Sequence, residues 1–173
     1  AHFHLFKNVI KSLNQNNHKT YVLIKKKDVL EELLIESGIE FINILPKGRK
    51  DLKIFIMLGL MLQTFRLYTF CFKVFPNLLI GTSASIPFIS KIFPAKSINV
   101  NEDDAEAVPL YSKISYPFSD VILAPKECSV GKWTNKKINI HSYHELSYLH
   151  PNNFSPSKKI AEKYVNPSEQ YFI

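Results

Sequence analysis

Six short apolar runs recur along the chain, and segments of helical spacing or turn residues separate them. They are Tyr21 to Ile24 (YVLI), Glu40 to Leu45 (EFINIL), Leu78 to Gly81 (LLIG), Ser97 to Asn101 (SINVN), Val121 to Ala124 (VILA) and Lys137 to His141 (KINIH). Runs this short, bounded by turn residues, read as strands rather than helices. Most place apolar residues at successive positions instead of alternating them, as strands covered on both faces require. Strands that alternate with helices predict an α/β domain with a doubly wound, mostly parallel sheet. Such sheets bind ligands beyond the carboxyl ends of their strands. The chemistry is therefore expected at residues 1–4, 46–50, 82–85, 101–105, 125–131 and 142–145.

The intervening segments carry helix signals. In residues 3–15, Phe6, Val9, Ile10 and Leu13 recur on one face. Asp28 is placed to cap a second helix, with Glu31 as capping-box partner, Val29, Leu30, Leu33 and Leu34 as its apolar face, and Gly38 as its stop. A long apolar stretch fills residues 51–74. Shorter helices are expected over 83–92, with Pro87 near the first turn, over 105–116, and over 157–164. Residues 143–149 read as a turn or helix. The segment HPNNFSPS at 150–157 reads as a linker. The expected organisation is one domain over 1–150, then a linker and the start of a further domain over 151–173, with Tyr171, Phe172 and Ile173 as a strand stub. A doubly wound domain ordinarily opens with a strand, whereas the first element here is a helix, so a strand is expected ahead of Ala1.

The 173 residues, 46% of them hydrophobic, supply enough apolar side chains for a packed core. Cys71 and Cys128 are too few for a disulfide scaffold or a four-ligand zinc site, and they suit a reducing compartment such as the cytosol. The formal net charge of +7 is uneven: residues 1–100 hold 14 basic and 6 acidic side chains, residues 101–173 hold 8 and 9. A basic half favours phosphates, nucleic acid or an anionic membrane surface, or is simply a solvated face. The longest basic run is Lys25, Lys26 and Lys27, and no aromatic residues interleave with the basic ones as stacking platforms, so no nucleic-acid partner is expected.

Residues 54–72 (IFIMLGLMLQTFRLYTFCF) hold one charge, Arg66. Their length approaches a membrane span, but Gln63, Thr64 and Arg66 lie near the middle and argue against one. The readings are a packed crossover helix, or a crossover helix with one side facing a membrane or a partner. Lys47, Arg49, Lys50 and Lys53 flank it and suit anionic headgroups.

Four clusters fall at the expected strand ends. His2 and His4 open the chain at a loop-to-helix junction suited to an anion. A structural role is the alternative, and no third ligand lies close enough in sequence for a metal site. Thr82 and Ser83 follow a buried strand, where small hydroxyl residues either contact a ligand or cap the next helix. Glu102, Asp103 and Asp104 follow another strand; crowded carboxylates suit acid/base work, and acids also collect at helix starts for electrostatic reasons. Tyr143, His144 and Glu145 precede the linker, with His144 and Glu145 as a candidate acid/base pair or as ordinary junction residues. A glycine-rich dinucleotide loop, a P-loop and a nucleophile elbow are all missing from the sequence.

The segments AHFHLFKNVIKSL, LLIGTSAS, NEDDAEAVPLYSKISYPFSD, ILAPKEC, GKW and YHELSYLHPNNFSP together resemble the domain-of-unknown-function family numbered 354, which is similar to GT-B glycosyltransferases and UDP-N-acetylglucosamine 2-epimerases. YHELSYLHP and NEDDA are the specific parts, and residues 46–75 the least distinctive. The resemblance implies the amino-terminal, Rossmann-like half of a two-domain protein, with most nucleotide-sugar contacts in the second half and the cleft between the two. It implies a glycosyltransferase of surface polysaccharide or glycolipid synthesis, using a nucleotide sugar, UDP-linked, and a glycan or lipid-linked acceptor. Glu102, Asp103 and Asp104 would be the base candidates. His2, His4, Thr82, Ser83, Tyr143, His144 and Glu145 would bind substrate. No cofactor or catalytic metal is expected. The protein would be cytoplasmic, at the inner face of the membrane through residues 54–72, and a homodimer is one assembly this allows. An epimerase is the alternative. Against it, the family's second glutamate falls near Val108, Pro109 and Leu110, where no acid stands, and Thr82 replaces an aspartate. A non-catalytic binding or assembly module is the third reading.

Overall fold

The protein was analysed as a computed structural model that describes residues 2–26, 29–45 and 53–165. All six apolar runs are strands: β1 (Val22–Lys25), β2 (Phe41–Leu45), β3 (Leu78–Gly81), β4 (Lys96–Val100), β5 (Val121–Pro125) and β6 (Lys137–Ile140). Helices lie between and around them: α1 (His2–Gln15), α2 (Leu30–Glu36), α3 (Lys53–Val74), α4 (Ser85–Ser90), α5 (Pro109–Ser115), α6 (Leu146–Leu149) and α7 (Lys158–Ala161). Every strand pair is parallel. The result is an α/β protein of Rossmann-like, doubly wound type.

Strand β1 shows why its sequence is apolar throughout. Ile24 is buried against Phe3 of α1 and Leu34 of α2, with Val22 beside it. Leu23, pointing the other way, packs against Leu67 and Cys71 of α3 and Ile89 of α4. Successive side chains of a strand face opposite sides, so α1 and α2 cover one face and α3 and α4 the other. A third core joins Ile122 and Ala124 of β5 to Tyr116, and Trp133 meets the Tyr116 ring edge-on at 5.6 Å. Trp133 lies in a 3-10 turn over Gly131–Lys136 that the sequence did not signal.

The sheet departs from expectation in one respect. Instead of one continuous sheet there are two, β1-β2 and β3-β4-β5-β6. The reason is that β1 and β3 share no ladder.

Helix ends follow local chemistry. Gly38 stops α2 with φ of 64°, a conformation that costs glycine little, and the Ile39 N–H closes onto the Leu34 carbonyl at 3.0 Å. The proposed cap Asp28 lies outside the described residues. Helix α5 begins at Pro109, not at 105: proline lacks the N–H that an interior position needs, and it suits the first helical turn. Ahead of it, Ala107 and Val108 donate to the Asp104 carbonyl in a turn. The final helix shrinks to Lys158–Ala161. Residues 46–50 and 171–173 and the side chain of Lys53 also lie outside the described residues.

Asp120 pins β4 to β5. Its carboxylate accepts from the Ser97 N–H and hydroxyl, both at 2.9 Å, and from Lys91 Nζ at 2.9 Å. Its own N–H donates to Ser97 Oγ at 3.0 Å. Burial alone would raise its pKa, but the bonds from Lys91 and Ser97 outweigh that and hold it at about 2. A depressed carboxylate stabilises the fold above its unfolded pKa and loses that contribution as pH falls through the folded value. Asp120→Ala is therefore expected to cost about 1–2 kcal/mol at pH 7. In denaturant titrations the gap between variant and parent should narrow between about pH 4 and pH 2.

Candidate functional site

Because all strands run the same way, their carboxyl ends share one edge. Lys25 ends β1, Thr82 follows β3, and Val100 ends β4 with Asn101, Glu102 and Asp103 beyond it. These residues line one cleft of about 330 Å³. The first turn of α1 adds His2 and Leu5, α5 adds Tyr111, and the α6 region adds His144, Glu145 and Tyr148. Helix α6 is held there by α1: Asn8 Nδ2 donates to the Ser147 carbonyl at 2.8 Å, and the His4 ring lies 5.1 Å from that of Tyr148.

The acidic loop is anchored at several points. Asn101 Nδ2 donates to the Asp103 carbonyl at 2.7 Å and to the Tyr116 hydroxyl at 2.8 Å. Asp104 accepts from the Ser129 N–H at 2.6 Å, and the Ala105 N–H donates to the Ser129 carbonyl at 2.8 Å. The Cys128 thiol reaches the Glu102 carbonyl at 2.9 Å. Asp104 thus ties the loop to the segment after β5, while Glu102 and Asp103 line the cleft.

Glu102 Oε2 lies 2.9 Å from His144 Nδ1. The His144 side chain is 11% exposed and that of Glu102 44%. The other ring nitrogen, Nε2, is buried with no hydrogen-bond partner among the described residues. A carboxylate on Nδ1 favours the tautomer that leaves the Nε2 lone pair free to take a proton.

Behind the cleft, the Tyr111 hydroxyl donates to Asn99 Oδ1 at 2.8 Å and lies 3.0 Å from the Thr82 carbonyl. Burial raises the pKa of Tyr111, and burial first, with the neighbouring Tyr111, pushes Tyr116 up to about 12. Both phenols therefore stay neutral hydrogen-bonding groups at ordinary pH.

Of the residues expected from sequence, His2, Thr82, Glu102, Asp103, His144 and Glu145 line the cleft. His4, Ser83, Asp104 and Tyr143 do not. His4 sits edge-on to Phe3 and against Tyr148, and burial first, with the charges of the chain amine and Lys7, lowers its pKa. Ser83 Oγ accepts from Gln63 Nε2 at 2.8 Å and from the Ser85 N–H at 3.3 Å. Tyr143 is exposed. Sequence reasoning missed Lys25, Tyr111 and Tyr148. Lys25 could have been found, since it ends the first strand; nothing in the helical spacing distinguished the two tyrosines. Among the described residues no group of three His, Cys, Asp or Glu side chains is arranged to hold a metal ion.

No family model matches the chain, and neither does any curated protein or solved structure.

Tyr111→Phe removes the donor to a fully buried Asn99, whose Nδ2 has no partner among the described residues. The substitution should lower stability by about 1–3 kcal/mol in urea titrations, the cost of a buried acceptor left unsatisfied. A loss below a few tenths would show that the Asn99 contact is dispensable.

Proposed function

We propose that this chain is a nucleotide-sugar-dependent, GT-B-like glycosyltransferase domain of surface polysaccharide or glycolipid synthesis. The observation that carries the reading is the pairing of Glu102 with His144 at the carboxyl edge of a parallel sheet, with the carboxylate half-exposed at the cleft. The family-354 resemblance supports it through the same segments, NEDDA and YHELSYLHP. The cleft is rich in groups that recognise hydroxyls: the carboxylates of Glu102, Asp103 and Glu145 as acceptors, and Lys25 and Thr82 as donors.

In this reading the Glu102 carboxylate, half-exposed at the cleft, takes the proton of an acceptor hydroxyl, and His144 Nδ1 holds that carboxylate in place. The acceptor oxygen bonds to the anomeric carbon as the bond from that carbon to the nucleoside diphosphate breaks, and the diphosphate leaves with the electron pair. Asp103 holds acceptor hydroxyls. The test is turnover by the whole protein with a panel of UDP-sugars and glycan or lipid-linked acceptors. His144→Ala and Glu102→Gln should each lower kcat by about 10²–10⁴-fold, the usual share of a positioned general base. Asp103→Asn should chiefly raise the acceptor KM. Rates unchanged in all three would sink the assignment, and release of a C2 epimer without any acceptor would favour the epimerase.

One further observation supports a membrane-bound acceptor. Helix α3 turns its polar side chains inward: Gln63 and Thr64 bond to Ser83 and Ser85, and Arg66 donates to the Ile44 carbonyl at 2.9 Å. Its outer face carries Leu58, Met61, Leu62, Phe65 and Phe72, of which Met61, Phe65 and Phe72 are each more than 60% exposed. Phe55–Val74 is long and apolar enough to cross a membrane, but a face bonded to the protein favours lying on a surface instead. Sedimentation with anionic phospholipid vesicles is expected to carry the protein down. Phe65→Ser should cut binding about tenfold or more, since burying one large apolar side chain is worth about 1.5–3 kcal/mol. A protein that stays in solution at low salt would overturn the membrane contact.

A further inference from the structure

The segment that leaves β6 does not stay beside it. Strand β6 ends at Ile140, on the far side of its sheet from β3. By Ser147 the chain lies against α1: Asn8 Nδ2 donates to the Ser147 carbonyl at 2.8 Å, and the Tyr148 ring meets that of His4. Between these points the chain passes the carboxyl ends of β5 and β4 and gives the cleft His144, Glu145 and Tyr148. Residues 141–150 are therefore a strap across the edge where the strands end.

The strap is lightly held. None of its residues is buried, and Tyr143, Leu146 and Leu149 are half-exposed. Its backbone bonds close on themselves: the N–H groups of residues 146–150 donate to the carbonyls of residues 143–146. The Ser147 hydroxyl also turns back, to the His144 carbonyl at 2.6 Å. The contacts that fasten the strap to the rest of the fold are Asn8 at Ser147, His4 at Tyr148 and Glu102 at His144, the last through a carboxylate open to water. The other walls of the cleft are built differently. Helix α5 buries Ser112 and Ser115, and β4 buries Ser97, Asn99 and Val100. A segment with few buried apolar contacts opens locally, far more often than the whole fold does. Both ends of the strap can bend. The last bond that ties β6 to its neighbouring segment is the Lys126 N–H on the Ile140 carbonyl, and exposed His141 follows. At the other end His150, with ψ of 137°, leaves the helical conformation ahead of Pro151.

We propose that residues 141–150 are a lid. They swing from the cleft and back as one body, hinged just after Ile140 and at His150, and their closed position is what brings His144 to Glu102. Asn8 and His4 are positioning residues: they touch the strap, and through it they set the orientation of the Glu102 carboxylate. A ligand that meets Glu102 or Asp103 on one side and Glu145 or Tyr148 on the other bridges the two and draws the lid shut. The pair is then assembled when the cleft is filled. The motion does not rest on the reaction that follows, and a protein that transfers no sugar would still open and close.

Hydrogen exchange of the protein without ligand tests this. The amides of residues 146–150 should exchange about a hundredfold or more faster than the paired amides of β4 and β5. Equal protection would make the segment a fixed wall and overturn the proposal. Asn8→Ala and Glu102→Ala each remove a different fastening. Either should speed exchange over all of residues 146–150 about fivefold, the usual share of one hydrogen bond, and leave β4 and β5 unchanged. Effects confined to the residues beside each substitution would mean that the strap does not move as one body. Acceleration shared equally with β4 and β5 would mean that it opens only with the whole fold. Either result would sink the lid. A second readout follows the His144 ring by nuclear magnetic resonance. Asn8 bonds to Ser147 and not to His144 or Glu102, yet Asn8→Ala should move the imidazole nitrogen resonances of His144 toward their positions in Glu102→Ala. Resonances that stay where they are in the parent would show that the pair is set without the strap.

Discussion

Parallel pairing is the constraint from which the rest of this structure follows. A parallel neighbour cannot be reached by a tight turn, so each strand must be followed by a crossover. Each crossover packs a helix onto the sheet, and helices on both faces leave no polar side for the strands to show. The alternating burial of Leu23 and Ile24 into different cores is the direct expression of this. Parallel pairing also sends every carboxyl end to one edge, which is how Lys25, Thr82, Asn101 and His144, far apart in sequence, come to one cleft. Register does the fine placement. Gly81 lies opposite Asn99 and Val100 opposite Leu123, so Thr82 emerges beside Val100 and Asn101. A slip of one residue would turn Asn99 and Val100 to opposite faces and dissolve the arrangement.

Helix α3 reverses the usual arrangement of polar and apolar faces. Its inward polar side chains are satisfied one by one: Thr64 by Ser85 at 2.8 Å, Gln63 by Ser83, and Arg66 by the Ile44 carbonyl of β2. The Arg66 contact occupies an acceptor on a strand that, among the described residues, pairs with β1 alone. The crossover from β2 to β3 is thus fastened along its middle turns. The outward face is only partly covered among the described residues, and its run of methionine, leucine and phenylalanine is the apolar surface on which the proposed membrane contact rests.

The strands were legible in the sequence because each is a short, bounded apolar run, and the meeting of His2, Thr82, Glu102, Asp103, His144 and Glu145 was legible because parallel topology gathers the carboxyl ends of strands at one edge. The break between β1 and β3 was not legible. Nothing in Tyr21 to Ile24 or Leu78 to Gly81 records which strand lies alongside, since pairing is a property of three dimensions. Helix ends were read less well where tertiary bonds decide them: residues 105–108 carry a helical pattern, but the Ala105 N–H goes to the Ser129 carbonyl and Pro109 sets the true start. The 3-10 turn at Gly131–Lys136 is invisible to periodicity because it is too short to show one.

The acidic loop shows why neighbouring residues of one type can differ in role. Asp104 spends its carboxylate on the Ser129 N–H, and that bond fixes the backbone on which Glu102 and Asp103 stand. Glu102 meets His144 with a carboxylate nearly half exposed. A contact so open to water contributes little to stability, while a buried imidazole nitrogen without a partner among the described residues costs free energy. Folding alone gives no reason to accept that cost. A half-exposed carboxylate held by a histidine at the end of a parallel sheet is the arrangement on which the proposed proton transfer rests.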